Sequence, residues 1–385
     1  MTSHTALSPP ANSRNDGLAA EITKALGHPV PAEWQQALHA APRHLFLPQV
    51  LWLRDGNGGY APCDRGSDPE RWWAAAYSDA PLVVQFTEEE DGYQVPSSSA
   101  SAPSTMIRML EQAELGDGMR VLEIGAGTGF HAALLSARLG SERVVSVEID
   151  SELTAQARTN LAAAGHAPTV RCADGAQGWA AGGPYDRIIS TCAVRAVPPA
   201  WLEQTRPGGR LVIPWNTAWV GYGTLTLTRH PDGSASGPFA PFGSYMVMRG
   251  QRSGIELGRD VLRAGQVPQV SHTTISPWAV AGNDLDALFA IGLAVPDVWH
   301  SWDTETDAAH TRLWLADDDA TSWATVDYDG HQTDTFRVSQ HGPRRLWDAV
   351  EAAHRSWEAA GRPSVARYGL TVMPDGTATA SLNFP

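Results

Sequence analysis

From residue 120 onward, short apolar runs alternate with longer helix-spaced ones. Residues 120–124, 143–148, 170–172, 187–190 and 210–214 read as strands, and 131–139, 152–164 and 199–205 as helices between them. This alternation predicts βαβ units around a parallel sheet. Upstream, Leu18, Ile22, Leu26, Trp34 and Leu38 fall at helical spacing interrupted by Pro29 and Pro31, so residues 17–48 are expected to form one or two helices. The Gly-, Asp- and Pro-rich stretch 54–70 reads as a long surface loop, and Pro103 opens a helix over 104–114. Pro207-Gly208-Gly209 reads as a turn before the fifth strand. After it, 223–229 and 242–248 read as an antiparallel hairpin joined through Asp232-Gly233. Beyond about residue 255 come Trp-bearing strands at 311–315, 322–327 and 335–338, then a helix over 343–360 with a core stripe of Leu346, Val350, Ala353 and Trp357. Strands 365–373 and 377–383 close the chain, turning at Asp375-Gly376. The expected organisation is a disordered 1–16, a helical segment and loop over 17–70, an α/β core over 71–250 and an α+β accessory domain over 255–385.

Charge narrows the partners. The 385 residues carry 42 acidic and 28 basic side chains, a formal charge of -14, which argues against nucleic acid because phosphate binding requires a basic field. A basic or neutral peptide, or a small molecule, fits better. Cys63, Cys172 and Cys192 are far apart and match no zinc spacing, so free thiols in a reducing cytoplasm are expected, with no metal. Residues 1–15 lack a basic and an apolar signal region, and no apolar run approaches the about 20 residues that span a bilayer.

The candidate chemistry lies where the first core strand ends. Val121-Leu122-Glu123-Ile124-Gly125-Ala126-Gly127-Thr128-Gly129-Phe130 sets three glycines at alternate positions before an Ala/Leu-rich helix, and the acidic Glu148 ends the next strand. Glycine suits a sharp turn that a ligand must approach closely. The G-x-G-x-G spacing with the following acid resembles motif I of the class I methyltransferases that use S-adenosylmethionine. That resemblance implies a Rossmann-like core and assigns Glu123, Gly125, Gly127, Gly129, Glu148, Asp174, Gly175 and Thr191 to the cofactor. Glu148 would take both ribose hydroxyls and Asp174 the adenine amino group, while Ser190-Thr191-Cys192 would border the methyl. NAD is the rival ligand; the third glycine comes one residue too early for it and no pyrophosphate cradle is visible.

Residues before that turn narrow the family. Ala76-Tyr77-Ser78-Asp79-Ala80-Pro81-Leu82 and Ser99-Ala100-Ser101-Ala102-Pro103, followed by a helix and Val121-Leu122-Glu123-Ile124-Gly125, resemble the protein-L-isoaspartate O-methyltransferase family. Val197-Pro198 and Arg206-Pro207-Gly208-Gly209-Arg210-Leu211 look like its later motifs, and the likeness covers about residues 35–225. Carried over by position, Ser101 stands where the family's acceptor-contacting Ser lies, and Ser99 where it has Thr. Helix capping is the competing use of both serines, and turn stabilisation that of Asp79.

The chain departs from the repair enzyme in a longer acidic stretch between Leu82 and Ser97 and in its long tail. With Ser97-Ser98-Ser99, Trp299-His300-Ser301-Trp302 and Gln340-His341-Gly342-Pro343-Arg344-Arg345, it resembles actinobacterial relatives associated with lanthipeptide and graspetide maturation. This implies a protein or peptide (iso)aspartate carboxyl O-methyltransferase acting on an Asp side chain in a cyclised or otherwise modified precursor peptide, with succinimide (aspartimide) and then isoaspartate as products. The alternatives are an isoaspartyl repair methyltransferase and a binding module that has lost turnover. A monomer is expected. An acceptor carboxylate with an ordinary pKa near ~4 is already ionised at neutral pH and needs no general base, so alignment carries the catalysis. His300 is expected as a core histidine, and Arg344 and Arg345 as partners of Asp348 or Glu351 along their helix.

Overall fold

The computed structural model describes residues 11–56, 58–88, 94–304, 306 and 309–384. They form two compact units. The first runs to Thr191 and takes up Pro198–Val212 and Thr228–Gly233; the second comprises Cys192–Val197, Ile213–Leu227 and the chain from Ser234 onward.

In the first unit, the predicted parallel strands are present as Val121–Ile124, Val144–Glu148, Thr169–Cys172, Tyr185–Ser190 and Thr205–Pro214. Val121–Ile124 pairs in parallel with Val144–Glu148 on one side and Tyr185–Ser190 on the other; Thr169–Cys172 and Thr205–Pro214 extend the two flanks. Every residue of the first two strands is buried, as expected of parallel strands covered on both faces. Helices Phe130–Leu139, Ser151–Ala163 and Pro199–Gln204 match the predicted ones closely. The chain builds outward from Val121–Ile124, then returns to place Tyr185–Ser190 on the opposite side. A topological switch point therefore lies at the carboxyl ends of these two strands, where open α/β sheets bind ligands.

The N-terminal segment belongs to this unit and is not a separate block. Its helices, Ala11–Leu26 and Ala32–Ala40, bury Leu18, Ile22, Trp34 and Leu38. Helix begins at Ala11, so the disorder expected over 1–16 does not hold for 11–16; residues 1–10 lie outside the described residues. The loop expected over 54–70 is instead a hairpin, Val50–Arg54 against Tyr60–Asp64, followed by the helix Pro69–Ala76. Its turn is closed locally: the Gly59 N–H donates to Asp55 Oδ1, and the Asp55 N–H to the Gly59 carbonyl. A second hairpin, Leu82–Glu88 with Gln94–Ala100, completes a four-stranded antiparallel sheet and makes the serine cluster a strand. The acidic excursion beyond Glu88 falls largely outside the described residues. Pro207-Gly208-Gly209 is not a turn before the fifth strand. It lies within that strand, where the register slips between the pairs Tyr185–Thr205 and Arg187–Arg210.

The second unit contains a five-stranded antiparallel sheet ordered Gln269–Thr273, Phe336–His341, Trp323–Tyr328, Thr311–Asp317 and Val298–Thr304. Its core includes Val298, Leu313, Leu315, Val326 and Val338 together with Leu346, Trp347 and Val350 of the helix Leu346–Ala359. Strand Tyr368–Val372 pairs antiparallel with Ala235–Ala240 and with Ala378–Leu382. The expected strand at 242–248 is therefore replaced by Ala235–Ala240. His300 packs against Trp219 with ring centroids 4.5 Å apart, and burial pushes its pKa down, as a core histidine requires.

Arg345 pairs with Asp348 as expected, at 3.2 Å, but Arg344 does not follow its helix. It reaches Asp297 at 2.5 Å, because the helix begins only at Leu346 and Arg344 lies before its N-cap, Arg345. The Arg344 hydrogen bonds hold the Asp297 carboxyl below its ordinary range. A carboxylate with a lowered folded pKa stabilises above its unfolded pKa and loses that contribution as pH falls through the folded one. Arg344→Met is thus expected to lower the urea midpoint at neutral pH, with the gap to the parent closing below about pH 4. A gap that is constant with pH would remove the pair from the account.

Candidate active site

The glycine turn is built at the switch point. Gly125, Gly127 and Gly129 have φ of 96°, 52° and 92°, backbone that side chains seldom adopt. The Gly125 and Ala126 N–H groups both donate to the Val147 carbonyl, at 2.8 and 3.1 Å, tying the turn to the neighbouring strand. At Gly129 a Cβ would lie 3.2 Å from the Ala157 carbonyl oxygen, so close helix packing also requires glycine. Above Gly127 there is space: the nearest atom to a Cβ would be Ser98 Oγ, at 3.9 Å. Asn160, which the sequence reading missed, fixes the loop through its buried Nδ2, donating to the Thr128 carbonyl at 2.9 Å.

Glu148 ends its strand beside the turn. Its Oε2 accepts from the Gly127 N–H at 2.8 Å and its Oε1 from the Asp150 N–H at 3.1 Å. These two backbone bonds, one to each oxygen, orient the carboxylate against the turn. The Thr191 hydroxyl donates to the carbonyls of Ile124 and Gly125, at 3.1 and 2.5 Å, which locks the tail of its strand to the turn. Asp174 is exposed; one oxygen accepts from the Ala176 N–H at 2.9 Å. Gly175 is buried, its carbonyl taking the Trp201 indole N–H at 2.8 Å.

Glu123 departs from expectation. It is 0% exposed, with Oε1 2.9 Å from His131 Nδ1 and Oε2 accepting from Ser146 Oγ at 2.5 Å. The side chain lies beneath the turn and presents no surface to a ligand, so the expected direct contact with the cofactor is corrected to a supporting role.

On the acceptor side, neither Ser99 nor Ser101 is a helix cap. The helix Pro103–Ala113 has no side-chain cap from its own N-cap residue; instead Asp79 Oδ1 accepts from the Ser104 N–H at 2.8 Å. Asp79 is thus the turn-and-cap residue, and among the described residues the Ser99 and Ser101 hydroxyls have no hydrogen-bond partner. Ser97 donates to Gln85 Oε1 at 2.9 Å, and Gln85 Nε2 donates to Asp150 Oδ2 at 3.2 Å. Asp150 also caps the helix Ser151–Ala163. A continuous chain of bonds therefore runs from the serine strand to the residue whose N–H holds Glu148.

These parts fit S-adenosylmethionine. The open backbone over Gly127 would face its methionyl and ribose parts, the oriented Glu148 carboxylate would meet the ribose diol, and Asp174, exposed past the adjacent strand, would face the adenine. Among the described residues no three side chains form a metal-binding group, and no helix is long and apolar enough to cross a membrane.

Residues 63–232 match the family model for protein-L-isoaspartate(D-aspartate) O-methyltransferase. A protein-L-isoaspartate O-methyltransferase from Ignicoccus hospitalis is 39% identical over 184 residues, covering 47% of this chain and 72% of that protein. One from Methylorubrum populi is 37% identical, covering 47% and 80%. A solved protein-L-isoaspartate O-methyltransferase shares the fold with a TM-score of 0.54 at 23% identity, over 96% of this chain and 100% of its own. The glycine turn, the oriented Glu148 and these relatives together place the chain in the protein-L-isoaspartate O-methyltransferase family, as an S-adenosylmethionine-dependent methyltransferase.

Proposed function

We propose that the chain methylates the free carboxylate of L-isoaspartyl residues in peptides or proteins. The observation that carries this reading is that Asp79 caps the helix after the serine segment, which leaves the Ser99 and Ser101 hydroxyls without a partner among the described residues. Hydroxyls suffice to hold an acceptor that is already ionised. Stronger donors would draw charge from its oxygens and weaken the nucleophile. S-adenosylmethionine supplies an electrophilic methyl on a sulfonium. The protein's share is alignment, worth up to about 7–11 kcal/mol of barrier in well-oriented reactions: Ser99 and Ser101 orient the acceptor, while Glu148, Asp174, Gly175, Thr191 and the glycines hold the donor. Relatives named for isoaspartate support this acceptor over the peptide-maturation reading.

A second reading keeps the chemistry and changes the acceptor to an Asp side chain in a constrained ribosomal peptide. One feature favours it: the second unit carries Trp278, 43% exposed, stacked on Trp302 with centroids 5.5 Å apart, and exposed Trp is enriched where peptides bind. Isotopically labelled cofactor offered to an isoaspartyl peptide, its Asp counterpart and a cyclised Asp peptide separates the two by mass spectrometry. The expected result is label in the isoaspartyl peptide. Label confined to the cyclised Asp peptide overturns the first reading in favour of the second.

A further inference from the structure

The segment Ala41-Pro42-Arg43-His44 offers no pattern in sequence, yet it places a guanidinium at the centre of the acceptor side. Arg43 is 1% exposed and forms no ion pair among the described residues. Its Nη1 donates to the Ser78 carbonyl at 2.7 Å, and its Nη2 to the carbonyls of Ala80 at 2.9 Å and Ser101 at 3.0 Å. Longer bonds of 3.4 Å reach the carbonyls of Ala76 and Ala100. Burial pushes its pKa down to about 10, with Asp79 opposing, so the group stays charged at neutral pH. All these partners are backbone acceptors from two segments, 76–80 and 100–101, that are distant in sequence.

An unpaired buried cation is costly, and loops are ordinarily pinned by packing or capping. What the guanidinium adds is convergence: a planar, donor-only fork that reaches several carbonyls in fixed directions, which a point-charge ammonium does not reproduce. The carbonyl of Ser101 is taken by this fork, while its hydroxyl has no partner among the described residues. Fixing that carbonyl fixes the backbone at Ser101 and so the direction of the Cα–Cβ bond that carries the hydroxyl. Asp79, within the first clamped segment, then secures the other end through the Ser104 N–H.

We infer that Arg43 is a positioning residue for the acceptor, clamping residues 78–80 to 100–101 so that the Ser101 hydroxyl meets the substrate carboxylate in one orientation. The inference rests on the acceptor reading above. Its test uses the full chain as Arg43→Met and Arg43→Lys. Each is assayed for cofactor binding by calorimetry, for kcat and KM with an isoaspartyl peptide, and for thermal unfolding, so that assays run well below the midpoint. Arg43→Met is expected to raise the peptide KM by about tenfold or more, the loss of one or two charge-assisted bonds' worth of order, with cofactor affinity within about twofold. Arg43→Lys, which keeps the charge and loses the fork, is expected to fall between Met and the parent. Should Arg43→Met prove unfolded, the Lys variant carries the test alone, and its KM must still rise with cofactor affinity held. An unchanged KM in a folded variant, or cofactor affinity falling in step with KM, overturns the inference. Ser101→Ala, assayed alongside, keeps the two claims apart. If it leaves KM unchanged, the acceptor reading fails; if it raises KM while folded Arg43 variants do not, only the clamp fails.

Discussion

Glu148→Ala is expected to weaken S-adenosylmethionine binding by about 10²–10⁴-fold, because in the proposed donor site it removes the acceptor of two ribose hydroxyl bonds, each worth about 1.5–3 kcal/mol to a charged partner. The Gly127 and Asp150 N–H groups that now orient the carboxylate would also lose their partner. Glutamine is not a gentle substitute. Both oxygens accept from backbone N–H groups, so whichever position the amide NH2 occupies sets donor against donor. Glu148→Gln is therefore expected to lose most of what alanine loses. Calorimetric titration decides the matter: an affinity within about threefold of the parent in both variants would remove Glu148 from the donor site.

The second large effect is on stability, not binding. Glu123→Ala is expected to cost about 3–5 kcal/mol, the sum of two buried partners left unsatisfied at about 1–3 kcal/mol each and the void of the missing side chain. His131 Nδ1 and Ser146 Oγ are both buried and both face this carboxylate. His131 has little reserve, since its Nε2 is already buried with no partner among the described residues. Glu123→Gln keeps the volume and one acceptor and is expected to cost about 1–2 kcal/mol. Urea midpoints measure both. A loss below about 1 kcal/mol for alanine would mean that the support beneath the turn relaxes without it.

The sequence made the parallel sheet legible because burial on both faces leaves nearly uninterrupted apolar runs such as Val144–Glu148. The glycine turn was legible because only backbone freedom explains three alternate glycines. What was missed has two causes: exposed edges, and strands built from residues that ordinarily form turns. Strands Gln269–Thr273 and Val298–Thr304 are the two edges of their sheet, largely uncovered, so no alternation marks them. Ala235–Ala240 contains Gly237 and Pro238, residues depleted in strands, and the apolar run at 242–248 drew the hairpin to the wrong place. The 54–70 hairpin hides among turn-forming residues for the same reason. At the site, the motif gave residue identities but not directions. Glu123 belongs to the motif yet points beneath the turn, Ser98 comes nearest Gly127, and Arg43 acts through carbonyls that no sequence pattern encodes.

With the methyl donor and the acceptor bound as proposed, the chain of bonds from Ser97 through Gln85 and Asp150 to Glu148 gives the two sites a shared network through which they are expected to couple. A ligand that draws on Glu148 is then expected to steady the serine strand, and one that settles on the serine strand to steady Glu148. Coupling between two ligands is symmetric, so whatever factor the cofactor adds to peptide affinity, the peptide returns to the cofactor. Gln85→Ala is expected to weaken that coupling, read as the ratio of peptide affinities with and without cofactor, and an unchanged ratio would remove the bond chain from the account.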